Sequence, residues 1–289
     1  MIFKGTATAL ITPFTADGVD LDAFGKLLDE QVAGGVSAVV VLGTTGEPAT
    51  MTASEKLEVM KFAIRRFKGV IPVIIGTGSN NTAAAVELSV QAEKLGADAL
   101  LVVTPYYNKA TQRGLIAHYT AIADAVNIPI ICYNVPGRTG VNLLPATFAE
   151  LAEHPNIAAI KEASGNMEQI EEVIRLTRGK AVVYSGDDGI TVPVMAMGGM
   201  GVISVASNVA PKFTSEMTSA ALAGDYAKAA DMQLRMLPFV RALFSEVNPI
   251  PVKKAAELKG ICAGTVRLPL TPMTDENAAK LAAILPDFD

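Results

Sequence analysis

The sequence predicts an α/β fold: a (β/α)8 TIM barrel over residues 1–224, followed by a C-terminal helical domain over residues 225–289. Three observations support this prediction. Eight short apolar runs recur between residues 6 and 205, helical periodicity fills the gaps between them, and the strand pattern stops after residue 212. Eight strand–helix units in about 210 residues match the length of a closed parallel barrel.

The eight apolar runs lack polar alternation, which is typical of strands that are covered on both faces of a parallel sheet. They span residues 6–11, 38–42, 71–75, 98–103, 128–133, 157–161, 181–184 and 201–205. An open doubly wound sheet is the alternative. Such a sheet usually has a glycine-rich turn after its first strand, whereas residues 11–14 of this chain read ITPF.

Helical stripes separate the runs. One stripe occupies positions 57, 60, 64 and 67 behind a predicted capping box of Thr52 and Glu55, and another occupies positions 115, 119, 122 and 126. Three further helical patterns, at residues 226–244, 251–259 and 275–285, are divided by prolines. They predict a helical extension that packs on the barrel.

Composition excludes several classes of function. The chain has 24 Lys and Arg against 29 Asp and Glu, a net charge of −5, and its longest basic runs are two pairs. We therefore expect no nucleic-acid partner. Because there is no apolar run of 18 residues and no signal-peptide pattern, we expect no membrane span. Two cysteines outside any C-x-x-C motif suggest a cytoplasmic location.

Reacting groups in barrel enzymes lie at the carboxyl ends of the strands, and the sixth predicted strand ends in Lys161. Strand alternation places Lys161 on one face with Ile157 and Ala159. If that face lines the barrel, burial lowers the pKa of the amine and prepares it to form an imine with a carbonyl group. The alternative is an ion pair with a carboxylate such as Glu162.

The sequence offers little to hold a cofactor. Its two histidines, His118 and His154, fall on or at the end of predicted helices and are expected to be packing or surface residues rather than metal ligands. The glycines at 76 and 78 lack the third glycine of a dinucleotide loop. Asp187 and Asp188, between the glycines at 186 and 189, would repel phosphate. We therefore expect no metal and no nucleotide cofactor.

Other polar residues follow the predicted strands. Arg138 offers a two-pronged donor for a carboxylate, although a surface ion pair is the commoner role. Thr44 and Thr45, between two glycines, suit an anion-binding turn as well as an ordinary one. Tyr133 can exchange a proton or simply pack in the core.

Four motifs taken together resemble a known family. They are GTTGE at residues 43–47, YNVPGRTG at 133–140, IKEASG at 160–165 and NPIPVK at 248–253. In order and spacing they are similar to those of the pyruvate-dependent class I aldolases that include N-acetylneuraminate lyase, over nearly the whole chain. The second motif contains an arginine that the sialic acid lyases of this family lack. In this respect the chain resembles another branch of the family.

The resemblance implies that Lys161 forms a Schiff base with pyruvate, which becomes an enamine. The branch that carries the arginine adds this enamine to L-aspartate 4-semialdehyde and closes a six-membered ring, in the diaminopimelate route of lysine biosynthesis. Two alternatives stay open: another pyruvate-dependent aldolase or lyase that acts on a sugar acid, and a ligand-binding barrel without turnover.

The resemblance also implies roles for individual residues. Tyr133 would move protons to and from the imine, and Thr44 would connect it to Tyr107. Thr45 would hold the pyruvate carboxylate, and Arg138 that of the second substrate.

The eighth predicted strand would place the backbone carbonyl of Ile203 near the lysine. Tyr107 would cross from a neighbouring subunit, so a homodimer is the smallest competent unit and a homotetramer the usual assembly.

One departure concerns regulation. Lysine-inhibited members of the family bind lysine near the positions of Ala49, Asn80 and Tyr106, with a glutamate at position 84 and histidines at positions 53 and 56. This chain has Ala84, Ala53 and Lys56 there. The carboxylate that would pair with the effector is missing, so we expect weak or absent feedback inhibition.

Overall fold

The structure, a computed structural model, describes residues 1–288 and contains a closed barrel of eight parallel strands in chain order. The predicted (β/α)8 barrel is confirmed, and the open-sheet alternative is wrong. The strands are β1 (Gly5–Ala9), β2 (Ala38–Val41), β3 (Val73–Gly76), β4 (Ala99–Val103), β5 (Ile130–Asn134), β6 (Ile157–Glu162), β7 (Val182–Ser185) and β8 (Gly201–Ser204).

Twelve α-helices within residues 1–288 follow the strands and form the extension. They are α1 (Leu21–Ala33), α2 (Ala53–Phe67), α3 (Thr82–Leu95), α4 (Gln112–Asp124), α5 (Pro136–Thr139), α6 (Pro145–Leu151), α7 (Met167–Thr177), α8 (Thr191–Ala196), α9 (Pro211–Leu222), α10 (Tyr226–Leu243), α11 (Ile250–Leu258) and α12 (Asp275–Ile284). The predicted capping box at the start of α2 is present: Thr52 accepts from the Glu55 backbone, and the Glu55 carboxylate accepts from the Thr52 backbone.

The third and fifth strands begin two residues later than predicted, for one physical reason. The third and fifth runs were expected from residues 71 and 128, but the strands begin at Val73 and Ile130. Pro72 and Pro129 stand immediately before these residues. A proline has no N–H to donate to a ladder, although its carbonyl can still accept, and Pro72 and Pro129 accept from Val39 and Leu100.

The barrel interior is closed at the end where the strands begin. The rings of Phe3 and Tyr184 are buried and stack with their centroids 4.1 Å apart. The Tyr184 hydroxyl donates to the Phe3 carbonyl at 2.8 Å. Above these rings the interior is filled by small and branched side chains that include Ala7, Ile131 and Ile203. Access to the interior is therefore from the carboxyl end of the strands.

The three predicted C-terminal helices are present as α10, α11 and α12, and α10 packs against α8 and α9. A domain boundary at residue 224 stays a prediction. None of the helices within residues 1–288 combines the length and apolarity that a bilayer crossing demands.

We predict that Gly201→Ala destabilises the barrel. Gly201 has φ of +145°, and a Cβ there would lie 1.9 Å from the carbonyl oxygen of Gly5 on the neighbouring strand. The strain should lower the free energy of unfolding by at least about 2 kcal/mol, measured by urea denaturation. Gly114→Ala is the control, because its Cβ would meet only ordinary contacts with Thr111 and Ala110, which precede α4. Equal midpoints for both variants would contradict the prediction.

Candidate active site

Lys161 lies inside the barrel, near the carboxyl end of β6. It pairs in register with Tyr133 of β5 on one side and with Tyr184 of β7 on the other. The side chain is 4% exposed, and its Nζ lies 4.4 Å from the centroid of the Tyr133 ring. The predicted orientation toward the barrel interior is therefore confirmed.

The electrostatic surroundings of Lys161 favour the neutral amine. Loss of hydration on burial is the largest influence, and it lowers the pKa of Lys161 to about 8. The negative charge of Asp188 opposes this shift, while the positive charge of Arg138 adds to it. No carboxylate within residues 1–288 forms an ion pair with Lys161. A substantial fraction of the amine is therefore free to attack a carbonyl near neutral pH.

The alternative pairing with Glu162 is wrong. Adjacent residues of a strand point to opposite faces, and the Glu162 carboxylate is buried on the other side of β6. It accepts from the Asn134 amide at 3.0 and 3.2 Å and from the Ser164 backbone N–H at 2.7 Å. This network joins the residues that follow Tyr133 and Lys161, and so fixes the ends of β5 and β6 relative to each other.

Tyr133 is 6% exposed, and the Thr44 hydroxyl lies near enough to its phenol to influence its ionisation. Burial raises the pKa of Tyr133, while the charge of Arg138 and the Thr44 hydroxyl oppose the rise. The phenol therefore keeps its proton near neutral pH and can donate it. A protonated phenol beside an amine can serve as a proton carrier in imine chemistry.

The residues Thr44–Gly46 form a 3-10 turn after β2. The Thr45 hydroxyl accepts from the Asn248 side-chain amide at 3.0 Å, and the Gly46 carbonyl accepts from the Thr12 hydroxyl at 2.7 Å. The turn is thus held from the first strand–helix loop and from the C-terminal extension. The backbone N–H groups of this turn, together with the hydroxyls of Thr44 and Thr45, suit the binding of an anion.

A cavity of about 400 Å³ opens beside this turn. Thr44, Tyr133 and Arg138 line it, together with Asn248 from the extension. The Arg138 guanidinium donates to the Asn248 carbonyl at 3.3 Å, and Arg138 forms no ion pair within residues 1–288. The expectation of a surface ion pair is therefore wrong, and the guanidinium keeps donors for a ligand carboxylate.

Two predicted site residues lie apart from this group. Tyr107 is 88% exposed and does not line the cavity of its own chain, although its neighbour Tyr106 does. Its backbone is left-handed, with φ of 72°, and its N–H donates to the Thr139 carbonyl. Ile203 is buried within the barrel and pairs with Ala7. The proximity of its carbonyl to Lys161 stays a prediction.

Sequence reasoning missed the contribution of Asp188. This carboxylate is 2% exposed, and its Oδ2 accepts from the backbone N–H groups of Val205 and Ala206 at 2.9 and 3.1 Å. Burial raises the pKa of Asp188. The sequence predicts for the GDDG motif only a loop that would repel phosphate. The available signal was its position after the strand next to Lys161.

The histidines are packing and surface residues, as expected. His118 is buried and shares a hydrogen bond of 2.9 Å with the Thr82 hydroxyl, whereas His154 contacts Asp124 at 3.1 Å. Within residues 1–288 there is no cluster of three potential metal ligands.

The chemistry of the site thus depends on an amine. A buried lysine without a carboxylate partner lies behind a tyrosine that lines a small cavity, at the end of a parallel barrel where active sites are built. This fold and this site define an imine-forming barrel enzyme, the class that contains class I aldolases and lyases.

Comparison with known proteins gives the family. Residues 2–287 match the model of the dihydrodipicolinate synthetase family, and the chain belongs to that family. The resemblance that the four motifs predict is confirmed.

Relatives match along their whole length. The chain is 50% identical over 288 residues to the 4-hydroxy-tetrahydrodipicolinate synthase of Thermoanaerobacter sp. (strain X514), covering 99% of this chain and 97% of the relative. It is 52% identical to that of Geobacter metallireducens, covering 100% and 99%. Among solved structures, the dihydrodipicolinate synthase of Thermotoga maritima is 43% identical, with a TM-score of 0.98 and 99% of both chains covered.

A further solved structure is that of the chloride-inhibited dihydrodipicolinate synthase of Acinetobacter baumannii, which is complexed with pyruvate. It is 44% identical to this chain, has a TM-score of 0.97 and covers 99% of both chains.

We predict that imine formation at Lys161 follows the pKa of its amine. With pyruvate as a small oxo acid and cyanoborohydride as the trapping agent, the initial rate should rise with pH and level off above a midpoint of about 8, because only the neutral amine attacks. Arg138→Leu should move the midpoint to higher pH, since the guanidinium lowers the pKa of Lys161. Asp188→Asn should move it to lower pH, since the carboxylate raises that pKa. Identical midpoints in all three proteins, measured by intact mass, would contradict this electrostatic account.

Proposed function

We propose that the protein condenses pyruvate with L-aspartate 4-semialdehyde to 4-hydroxy-tetrahydrodipicolinate, in the diaminopimelate route of lysine biosynthesis. One observation carries the proposal: Lys161 is buried without an ion-pair partner directly behind Tyr133, at a cavity that also presents a free guanidinium. The names of the full-length relatives support the same reaction.

In the first half of the reaction, Lys161 forms an imine that serves as the electron sink. Its neutral amine attacks the keto carbon of pyruvate, and loss of one water gives an imine. The methyl group then loses a proton and becomes the enamine carbon. Tyr133 donates and recovers the protons of these steps, with the Thr44 hydroxyl as its hydrogen-bonding partner. The Thr45 hydroxyl holds the pyruvate carboxylate.

The second half forms one carbon–carbon bond and one carbon–nitrogen bond. The enamine carbon attacks the aldehyde of the second substrate, whose oxygen takes a proton and becomes the ring hydroxyl. The substrate amine then attacks the imine carbon and displaces Lys161, which closes the six-membered ring. The balance is one pyruvate and one semialdehyde to one cyclic product and one water.

Arg138 selects the second substrate. Its guanidinium lines the cavity and has no carboxylate partner within residues 1–288. A short aldehyde with a carboxylate fits such a donor, whereas a sugar acid would depend mainly on contacts to its hydroxyls. This favours the semialdehyde over the sugar-acid alternative.

We further propose that the active unit is a homo-oligomer, a dimer at least and a tetramer in full. The exposure of Tyr107 is unusual for an aromatic ring next to an active-site cavity. A second copy that covers this ring would bring its hydroxyl toward Thr44 of the partner. Neither a metal nor a nucleotide has a place in this scheme, because the imine itself withdraws the electrons. The cytoplasmic location stays a prediction.

The test of the function is the covalent adduct. Incubation with pyruvate and borohydride should add one mass of about 72 Da, and Lys161→Ala should lose both this adduct and at least about a thousandfold in activity. A folded wild-type protein that forms no adduct would favour the ligand-binding barrel.

A second prediction separates the two substrates. Arg138→Ala should still form the pyruvate adduct but lose about 10- to 150-fold in kcat/KM for the semialdehyde, which is the loss expected for one charge-assisted partner. The measurement is a coupled steady-state assay in which each substrate is varied in turn. An unchanged kcat/KM for the semialdehyde would remove Arg138 from the proposed site.

We also predict weak or absent inhibition by lysine. Ala49, Lys56 and Tyr106 line the cavity, and Lys56 brings a charge of the same sign as that of the effector's ammonium. The double variant Lys56→His, Ala84→Glu should bind lysine about 10- to 150-fold more tightly than the wild type, because it gains a charge-assisted partner. Inhibition of the wild type by sub-millimolar lysine in the steady-state assay would refute this prediction.

A further inference from the structure

A second buried lysine lies outside the imine chemistry. Lys253, on α11 of the extension, has no exposed surface. Its Nζ lies 2.5 Å from Oε1 of Glu47, donates to the Thr265 carbonyl at 2.6 Å and lies 4.1 Å from the centroid of the Phe14 ring. The ammonium thus has a carboxylate, a carbonyl and an aromatic ring around it. The carboxylate, which supplies the counter-charge, belongs to Glu47 of the barrel.

Glu47 directly follows the turn that carries Thr44 and Thr45. It is 4% exposed and has a left-handed backbone with φ of 54°, and its N–H donates to the Thr44 carbonyl. Its second carboxylate oxygen, Oε2, accepts from the backbone N–H of Arg267 at 3.2 Å. Both oxygens of this one carboxylate are therefore held by residues of the C-terminal extension.

Arg267 extends the same contact to the far side of the turn. Its guanidinium donates to Glu55 on α2 at 2.5 and 3.0 Å and to the Thr50 carbonyl at 3.2 Å. Its Cζ lies 4.0 Å from the centroid of the Phe14 ring. The chain from Thr44 to the start of α2 is thus connected to the extension at successive points.

A buried ion pair of this kind is weak evidence for a role in stability. Desolvation of both charges offsets most of their attraction, and well-packed apolar residues often replace such pairs without loss. What the pair adds is position, because the buried carboxylate must stay beside the Lys253 ammonium through Oε1 and beside the Arg267 N–H through Oε2. The element that this geometry fixes is the Thr44–Gly46 turn.

We propose that the Glu47–Lys253 pair positions the Thr44–Thr45 turn for catalysis, so that the C-terminal extension is a working part of the active site. The inference rests on the proposed function, in which Thr45 holds the pyruvate carboxylate and Thr44 supports Tyr133. Glu47 and Lys253 are positioning residues, since they act through the turn and do not contact the reacting atoms.

The experiment compares Glu47→Gln, Lys253→Met and the double variant with a control, Lys254→Met. Lys254 adjoins Lys253 but is partly exposed, and within residues 1–288 its one ion pair is with Glu257 on its own helix. Each protein is assayed for its melting temperature, for the pyruvate concentration that half-saturates adduct formation with borohydride, and for kcat and KM toward both substrates.

The single variants should raise the half-saturating pyruvate concentration about tenfold, as expected when a charge-assisted contact loses its geometry. They should also melt at lower temperature, since one buried charge is left unpaired. The double variant should recover much of the melting temperature, because no charge remains unpaired, but not the binding of pyruvate. Lys254→Met should match the wild type in every measurement.

Two results would overturn the inference. One is unchanged half-saturation in folded single variants; the other is recovery of pyruvate binding in the double variant together with stability. In either case the wild-type protein still forms its adduct, whereas failure of the proposed function itself would appear as a wild type without an adduct.

Discussion

The burial of one ammonium group inside a closed barrel is the constraint on which the site depends. Lys161 is 4% exposed and lies between the strands that carry Tyr133 and Tyr184. Because burial removes its hydration, its pKa falls to about 8. That shift corresponds to about 3 kcal/mol in favour of the neutral amine. The remaining charges adjust this balance, with Arg138 adding to it and Asp188 opposing it. An amine with this pKa is neutral in a far larger fraction of molecules near neutral pH than an exposed lysine is.

The room around the Lys161 side chain is also limited by its neighbours. A Cβ at Gly186 would lie 3.0 Å from Cε of Lys161 and 2.6 Å from Cβ of Ala163, so the absence of a side chain there leaves room for the lysine. On the opposite face of β6, the Glu162 network holds the strand end without placing a negative charge in the barrel. Neighbouring positions of one strand therefore differ in their surroundings: Lys161 faces the barrel interior, and Glu162 anchors the strand end.

Much of this could be predicted from the sequence because it follows from local periodicity. Apolar runs gave the strands, and alternation placed Lys161 inside, whereas the choice between a free amine and an ion pair with Glu162 stayed open until the structure. Prolines explain the late starts of β3 and β5. Contacts such as Glu47 with Lys253 join residues that are 206 positions apart, and no local pattern reports on such a pair. In the proposed dimer the surroundings of Tyr107 would depend on a second chain, about which periodicity is silent.

The stacked rings of Phe3 and Tyr184 bear on the kinetic order of the enzyme. Because they close the barrel where the strands begin, the interior is a blind pocket with a single mouth. Whatever reaches Lys161 must pass the place where the second reactant will later bind, and the product must leave by the same way. We therefore expect the oxo acid to bind first, water to leave through the mouth, and the aldehyde to follow. An aldehyde that entered first would block the way to Lys161, so we expect an excess of the second substrate to slow turnover.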